Sequence, residues 1–484
     1  MRRTWFDTFD WRLFRAGLTL ELVAERGGGE FVLTGRDGDT AAAAPAGGQG
    51  EARIRFPCLV EALPLGQLRE HLAPVTGVRA LLPIVKATSS LREYRALNAD
   101  EKTVAVVTVE RMTVTQPRHR DAGARLTVRP LRGYDAQAAK LADSLSDAPG
   151  VEPAATTAFE SALKAVDRKP GDYTGKIDVR LTAEMPAAFA VAAILDALFD
   201  TVEVNLPGTI RDIDTEFLHD LRVAVRRTRS VLKLAGSVLP DATVSRYAPE
   251  FKWLGDLTTP TRDGDVYLLS YPAMAAQLVA ATPDELAPFH DYLAQQRAAA
   301  FGQLARGLRG KRFAELVGNW RLDLDKISAA PRPRPPAGAF AARRITTAHQ
   351  KVLRRGAMIG PDSPSEALHD LRKRCKELRY LLEVFASLHD PSQQWHAIRE
   401  MKALQDCLGE YQDTQVQHAG LHEFAARMMG ERRAPAATLL AMGEIAAKLA
   451  ERANAARREF AGRFAEFASP RGQARIAALT KAGT

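Results

Sequence analysis

Through the first 180 residues, apolar and polar positions alternate in short runs: LTLELVAERGGGEFVLTG at 18–35, TVAVVTVERMTV at 103–114 and KIDVRLTAE at 176–184. A period of two, rich in β-branched residues and broken by glycines, predicts antiparallel strands. AAAAPAGGQG at 41–50 predicts a flexible loop. Past residue 185 the spacing changes to i, i+3, i+4, i+7. Segments 187–205, 215–237, 285–308, 364–388 and 436–468 then predict amphipathic helices. RPRPP at 332–336 cannot continue a helix and predicts a linker. The pattern reads as an α+β chain, with an antiparallel β domain over 1–182 and an all-α domain over 185–476.

The helical half repeats itself. FLHDLRVAVRRTRSVLK at 217–233 aligns with ALHDLRKRCKELRYLLE at 367–383 at an offset of 150 residues. FKWLGDLTTPTRDGDV at 251–266 aligns with MKALQDCLGEYQDTQV at 401–416 at the same offset, and 191–208 falls on 341–358. A unit this long is no solenoid repeat. It predicts two duplicated helical bundles, 187–325 and 337–475, joined by a linker over 326–336 and related by an approximate two-fold axis.

Charge sharpens the division. Residues 1–200 carry 26 Lys and Arg against 26 Asp and Glu, so the net +9 lies wholly in 201–484, with 41 against 32. An excess confined to one domain points to an anionic partner there. Three cysteines, Cys58, Cys375 and Cys407, lie far apart without a C-x-x-C pair, which argues against a disulfide framework or zinc site and fits a cytoplasmic setting. No run of eighteen apolar residues predicts a membrane span, and MRRTWFDTFDWRLFRAG lacks the apolar core of a secretory signal.

On a helix at 100° per residue, His219, Arg222, Arg226, Arg229 and Lys233 fall within about 80° of one another, beside an apolar stripe of Leu218, Leu221, Val225 and Leu232. His369, Arg372, Lys376 and Arg379 take the equivalent face of the second copy. A solvated helix face usually mixes signs, because like charges at i,i+4 cost about 0.2–0.5 kcal/mol each. A purely cationic face, present twice, predicts a ligand that supplies the counter-charge. Loss of Arg222, Arg226 and Arg229 together is then expected to weaken binding while stability is kept. His219 and His369 each open a stripe in the context L-H-D-L-R, where a capping or core role competes with ligand contact. Neither has a second metal ligand at i+4, and His418 and His422, which have that spacing, lack a third. No metal or cofactor is expected.

LHDLRVAVRRTRSVLKL with the following K-x-L and R-D-x-D-V segment resembles the CHAD domain, the conserved-histidine α-helical domain, over roughly 185–475. The resemblance implies two four-helix bundles about a pseudo-two-fold, with a basic groove that binds inorganic polyphosphate. Its anion contacts map onto His219, Arg222, Arg226, Arg229, Lys233, Lys252 and Arg262, then His369, Arg372, Lys376, Arg379 and Lys402. Arg297 and Arg452, on the last long helix of each copy, join them. The second copy departs where Gln412 answers Arg262 and Gln415 answers Asp265, which implies a weaker second groove.

WFDTFDWRLFRAGLTLELV, with PLRGYD at 130–135 and DYTGKI at 172–177, resembles the CYTH domain, the triphosphate tunnel fold. That fold implies paired carboxylates for a divalent metal and tunnel cations for triphosphate. The sequence begins past the E-x-E-x-K strand, Thr19 and Glu21 replace the L-R-L-R arginines, and Thr127 and Arg129 stand where further carboxylates belong. Arg53, Arg55, Lys86 and Arg92 are candidates for a residual cavity or plain strand-surface residues. The expectation is a degenerate, non-catalytic CYTH-like domain before a polyphosphate-binding CHAD domain, with association with polyphosphate granules and no membrane partner. The competing expectations are a metal-dependent triphosphatase and a general nucleic-acid binder. The stripe lacks the interleaved aromatics of the latter, since Trp253 and Tyr380 stand alone.

Overall fold

The computed structural model describes all residues except 26–27, 37, 47–53, 176, 330–334 and 482–484. Much of the expected loop at 41–50, Arg53 and most of the RPRPP linker lie outside the described residues. The chain divides into two units, 1–175 and 176–484, so the boundary expected after residue 182 falls seven residues earlier.

The first unit is built on a seven-stranded antiparallel sheet. Its strands are β1 (Arg2–Asp7), β2 (Leu18–Glu25), β3 (Gly28–Gly35), β4 (Thr40–Pro45), β5 (Leu82–Leu97), β6 (Thr103–Gln116) and β7 (Arg120–Pro130), in the order β4-β3-β2-β1-β5-β6-β7. Alternation along β1 sends Trp5 to one face, against Phe159, and Phe6 to the other, against Phe31 and Phe56. Helices α1 (Arg12–Arg15), α2 (Gln67–Thr76), α3 (Asp135–Ser146) and α4 (Ala158–Ala165) complete the unit. Asp7 explains the WFDTFDWRLF stretch structurally: its buried carboxylate accepts from the backbone N–H of Thr8, Leu13 and Phe14, pinning α1 to the end of β1.

Two expectations fail here. Residues 40–45 form a strand, not a flexible loop: Ala42, Ala43 and Ala44 pair with Leu33, Val32 and Phe31, so an edge ladder overrides the weak β-propensity of alanine. KIDVRLTAE forms no strand over its described part, 177–184. Helical partners take up its polar backbone instead. The Leu181 N–H donates to Ser387 Oγ at 3.0 Å, the Ser387 hydroxyl donates to the Val179 carbonyl at 2.7 Å, and the Gly338 N–H donates to the Ala183 carbonyl.

The second unit holds two runs of five helices: α5 (Ala187–Ile210), α6 (Thr215–Ala235), α7 (Asp241–Ala275), α8 (Pro283–Leu308) and α9 (Lys311–Ala329), then α10 (Ala337–Ala357), α11 (Ser365–Val384), α12 (Pro391–Gly430), α13 (Ala436–Phe467) and α14 (Pro470–Lys481). Each repeat thus carries four long helices and a closing fifth. The first three helices of each run begin 150 residues apart. Reciprocal bonds mark the pseudo-two-fold between them. The Ala187 N–H donates to the Pro335 carbonyl at 2.9 Å, and the Ala337 N–H donates to the Met185 carbonyl at 2.8 Å. A shared core of Leu195, Leu221, Leu254, Trp320, Ile345, Leu371 and Leu404 runs through both copies, and a second cluster of Phe289, Tyr292, Leu421 and Ile445 joins α8, α12 and α13.

Candidate functional site

Asp214 starts α6 by accepting from the Glu216 and Phe217 backbone N–H groups. The apolar stripe Leu218, Leu221, Val225 and Leu232 is buried. That burial rotates the next face of the helix, with His219, Arg222, Arg226 and Arg229, toward the flank where α7 and α11 lie.

The cations on this face differ sharply in what they touch. Nη1 of Arg222 donates to the Gly255 carbonyl at 3.0 Å and to the hydroxyls of Thr258 and Thr259 at 3.1 and 2.6 Å, all on α7. These acceptors are neutral, so the guanidinium is positioned without being cancelled. Arg226 and Arg229 are exposed. Arg226 lies over the Tyr380 ring at 6.0 Å, and Arg229 crosses α7 at Gly255, where a Cβ would come within 2.8 Å of Nη1. Among the described residues, none of these three arginines forms an ion pair.

On α11, Lys376 sits at the position equivalent to Arg226 and close enough for the two charges to repel. Burial, with Arg372 and Arg226 nearby, pushes its amine down to about 8, against the opposing pull of Asp413. The two stripes therefore converge at the pseudo-two-fold. His219 is held neutral by burial and by Arg262. Its counterpart His369 meets Gln412 instead, with Nδ1 2.6 Å from Oε1. The Arg262-to-Gln412 departure in the sequence thus separates the environments of the two histidines.

The remaining candidates are committed to carboxylates or flank the face. Lys233 pairs with Glu377 at 2.8 Å, Lys252 with Asp256 at 2.6 Å and Arg372 with Asp413 at 2.9 Å. Arg379 pairs with Glu383 at 2.6 Å, Lys402 with Asp406 at 2.6 Å and Arg452 with Glu410 at 2.7 Å. Arg262 donates to the Thr215 carbonyl at 3.2 Å, with Glu216 at 3.9 Å. Arg297 is clasped by Asp212 and by the buried Asp265, which raise its basicity. It ties α8 to α7 over Gly264, where a Cβ would lie 2.8 Å from the Arg297 side chain. Lys252, Arg379 and Lys402 find their carboxylates one turn on along their own helices, whereas those of Lys233, Arg297 and Arg372 come from segments distant in sequence, where charge pattern alone cannot tell a clasp from an open cation.

A family model, described as the CHAD domain, matches residues 193–422. The helical unit is a CHAD domain. The chain is similar to an uncharacterized protein of Mycobacterium tuberculosis strain H37Rv, at 26% identity over 228 residues, or 44% of this chain and 42% of that one. It therefore spans less than half the length of this curated relative. The crystal structure of the CHAD domain from the plant Ricinus communis is similar with a TM-score of 0.51 and 25% identity, covering 59% of this chain and 94% of that one. PptA from Streptomyces chartreusis matches at 18% identity and a TM-score of 0.46, over 58% and 99% of the two chains. The antiparallel sheet before the CHAD unit is consistent with a CYTH-like domain. In that sheet Glu21 and Glu110 both receive Arg3. Lys86 lines a cavity of about 560 Å³ with Arg2, Thr4 and Thr88, and neither Arg55 nor Arg92 is among its lining residues. The rings of His418 and His422 lie 4.7 Å apart, tilted at 58°, and no group of three potential metal ligands occurs among the described residues. No helix among them is long and apolar enough to cross a membrane.

Proposed function

We propose that the CHAD unit binds inorganic polyphosphate without turning it over, on the face built from Arg222, Arg226, Arg229 and Lys376 with His219 and His369 at its ends. One observation carries this reading: four cations from two helices share a face and form no ion pair among the described residues, although ion pairs surround them. Holding such a cluster costs the fold electrostatic free energy that a polyanion would return. A flexible chain with a charge on every unit suits the helical spacing of the cations, and the near absence of aromatics on the face favours phosphate over stacked bases. Such binding would also serve to place the protein on polyphosphate granules. The N-terminal unit acts as a non-catalytic partner in this reading, because Arg3 occupies both Glu21 and Glu110, leaving those carboxylates compensated by the protein itself.

Arg226→Ala combined with Arg229→Ala tests the proposal. Arg222 is left in place because its three bonds to α7 give it a structural share, which amends the expectation that all three arginines could be lost at no cost in stability. Each lost charge-assisted contact is worth about 1.5–3 kcal/mol, so polyphosphate affinity should fall by a hundredfold or more on the order-of-magnitude scale of two such contacts. The melting temperature should stay level or rise. Affinity of the parent should also fall steeply with salt. A double variant that melts lower yet titrates polyphosphate like the parent would overturn the reading.

A further inference from the structure

Duplication placed the same basic stripe on α6 and α11, yet the two copies are wired differently, and neutral residues on the neighbouring helix make the difference. In repeat one, Gly255, Thr258 and Thr259 of α7 supply a carbonyl and two hydroxyls that hold Arg222. Asp263, further along α7, is close enough to feel Arg222 but forms no ion pair with it. At the equivalent positions of α12 stand Gln405, Leu408 and Gly409, which offer no hydroxyl. Arg372 there lies on Asp413, the equivalent of Asp263, at 2.9 Å.

The same exchange governs the next turn. Gly255 leaves the space that Arg229 crosses, whereas Gln405 fills it and accepts from Arg379 at 3.2 Å, with Glu383 completing the capture of that guanidinium. Repeat one consequently presents Arg222, Arg226 and Arg229 without an ion pair. Of the stripe cations of repeat two, Lys376 alone forms no ion pair among the described residues. A paired cation meets a polyanion as a dipole whose carboxylate must first be displaced, so it attracts far less than an open one.

We propose that the CHAD unit holds a single polyanion segment in one asymmetric register, along Arg222, Arg226 and Arg229 of repeat one, with Lys376 as the one anchor from repeat two, and that the neutral α7 residues Gly255, Thr258 and Thr259 specify this choice. This deepens the polyphosphate reading and rests on it for the ligand. Two symmetric sites, one per repeat, are the alternative that the duplication by itself suggests.

Substitutions that keep every cation test the idea. In the full chain, Thr258→Val with Thr259→Val keeps side-chain shape and removes both hydroxyls, which lets Arg222 fall onto Asp263. Polyphosphate affinity should drop about tenfold, and adding Asp263→Asn should restore it. Asp413→Asn should release Arg372 and raise affinity severalfold. Lys376→Met should weaken binding as much as Arg226→Met does, while Arg379→Met and Lys402→Met change it by less than about twofold. Calorimetry should return one segment per chain. If the valine pair compromises folding, Thr259→Val alone with Asp413→Asn decides, since these act in opposite directions. Equal losses from Arg379→Met and Arg226→Met, or two segments per chain, overturn the asymmetric register and leave polyphosphate binding standing. Binding of heparin in place of polyphosphate, with the same ranking of variants, overturns the ligand and keeps the register. A parent that binds neither overturns both.

Discussion

The proposed polyanion binding is coupled to a proton through a single side chain, that of Lys376. Its neighbours are Arg372 on its own helix, Arg226 on α6 and Asp413 on α12, and burial with the two cations brings its amine from 10.5 to about 8. A polyanion favours the charged amine, so binding takes up a proton wherever the free protein has begun to lose it. Affinity should therefore be highest below pH 8 and decline as pH rises through that value. Lys376→Arg, which stays charged throughout, should flatten the decline. Calorimetry in buffers of different ionisation enthalpy reads the proton directly, and identical pH profiles for parent and Lys376→Arg would refute the assignment. Stability moves the other way. Between about pH 8 and 10.5 the unfolded chain binds more protons at this residue than the folded one, so the contribution of Lys376 to stability rises with pH across that window. The stripe itself was legible residue by residue from its spacing. Which of its members stay open was not, because Thr258, Asp413, Glu377 and Glu383 reach them from other helices or other turns.

At the scale of elements, close helix contacts in the CHAD unit depend on glycine. The Phe464 ring of α13 occupies the space that a Cβ on Gly356 of α10 would need, and Phe217 stands over Gly208 in the same way. Alanine at 356 gains about 1 kcal/mol of helix propensity. It also forces a methyl group into a rigid ring, an overpacking cost of about 1–3 kcal/mol. Gly356→Ala should accordingly lower the melting temperature by a few degrees, and Phe464→Leu in the same chain should recover part of it. A Gly356→Ala variant that melts higher than the parent would show that the ring moves freely. Element type was read well where one face is buried, as in α6 and α11, and poorly where partners decide. Pro249, Pro260 and Pro272 lie within the 35 residues of α7, so local rules argue against a continuous helix there. The alanines of 40–45 and the alternating KIDVRLTAE erred in opposite directions for the same reason: an available ladder made a strand of one, and helical partners absorbed the backbone of the other.

For the CHAD unit as a whole, the duplication is held together by pairs that break its symmetry. Arg227 of α6 meets Glu383 of α11 at 2.7 Å, and Lys233 of α6 meets Glu377 of α11 at 2.8 Å. Position 227 corresponds to 377 and 233 to 383, so repeat one supplies the cation and repeat two the anion at both ends of one contact. Two copies of repeat one would set cation on cation here, which makes the interface selective for the unlike half. Arg227→Glu alone should cost roughly 2 kcal/mol, less than a fully buried pair because both partners keep some solvent. The exchange Arg227→Glu with Glu383→Arg should return part of that loss, the remainder being the pair that Glu383 also makes with Arg379, and the coupling is read in a double-mutant cycle measured by denaturant unfolding. Additive losses would remove this pair from the account of how the repeats recognise each other. The sequence by itself determined the α+β division, the 150-residue duplication, the helix faces and the excess of positive charge in the helical half, because periodicity, repetition and net charge are properties of the chain read in order. Only the tertiary structure decided which cations remain open, since a side chain's counter-charge lies wherever packing brings a carboxylate within about 4 Å, and for Lys233, Arg297 and Arg372 that distance is set by segments far apart in sequence.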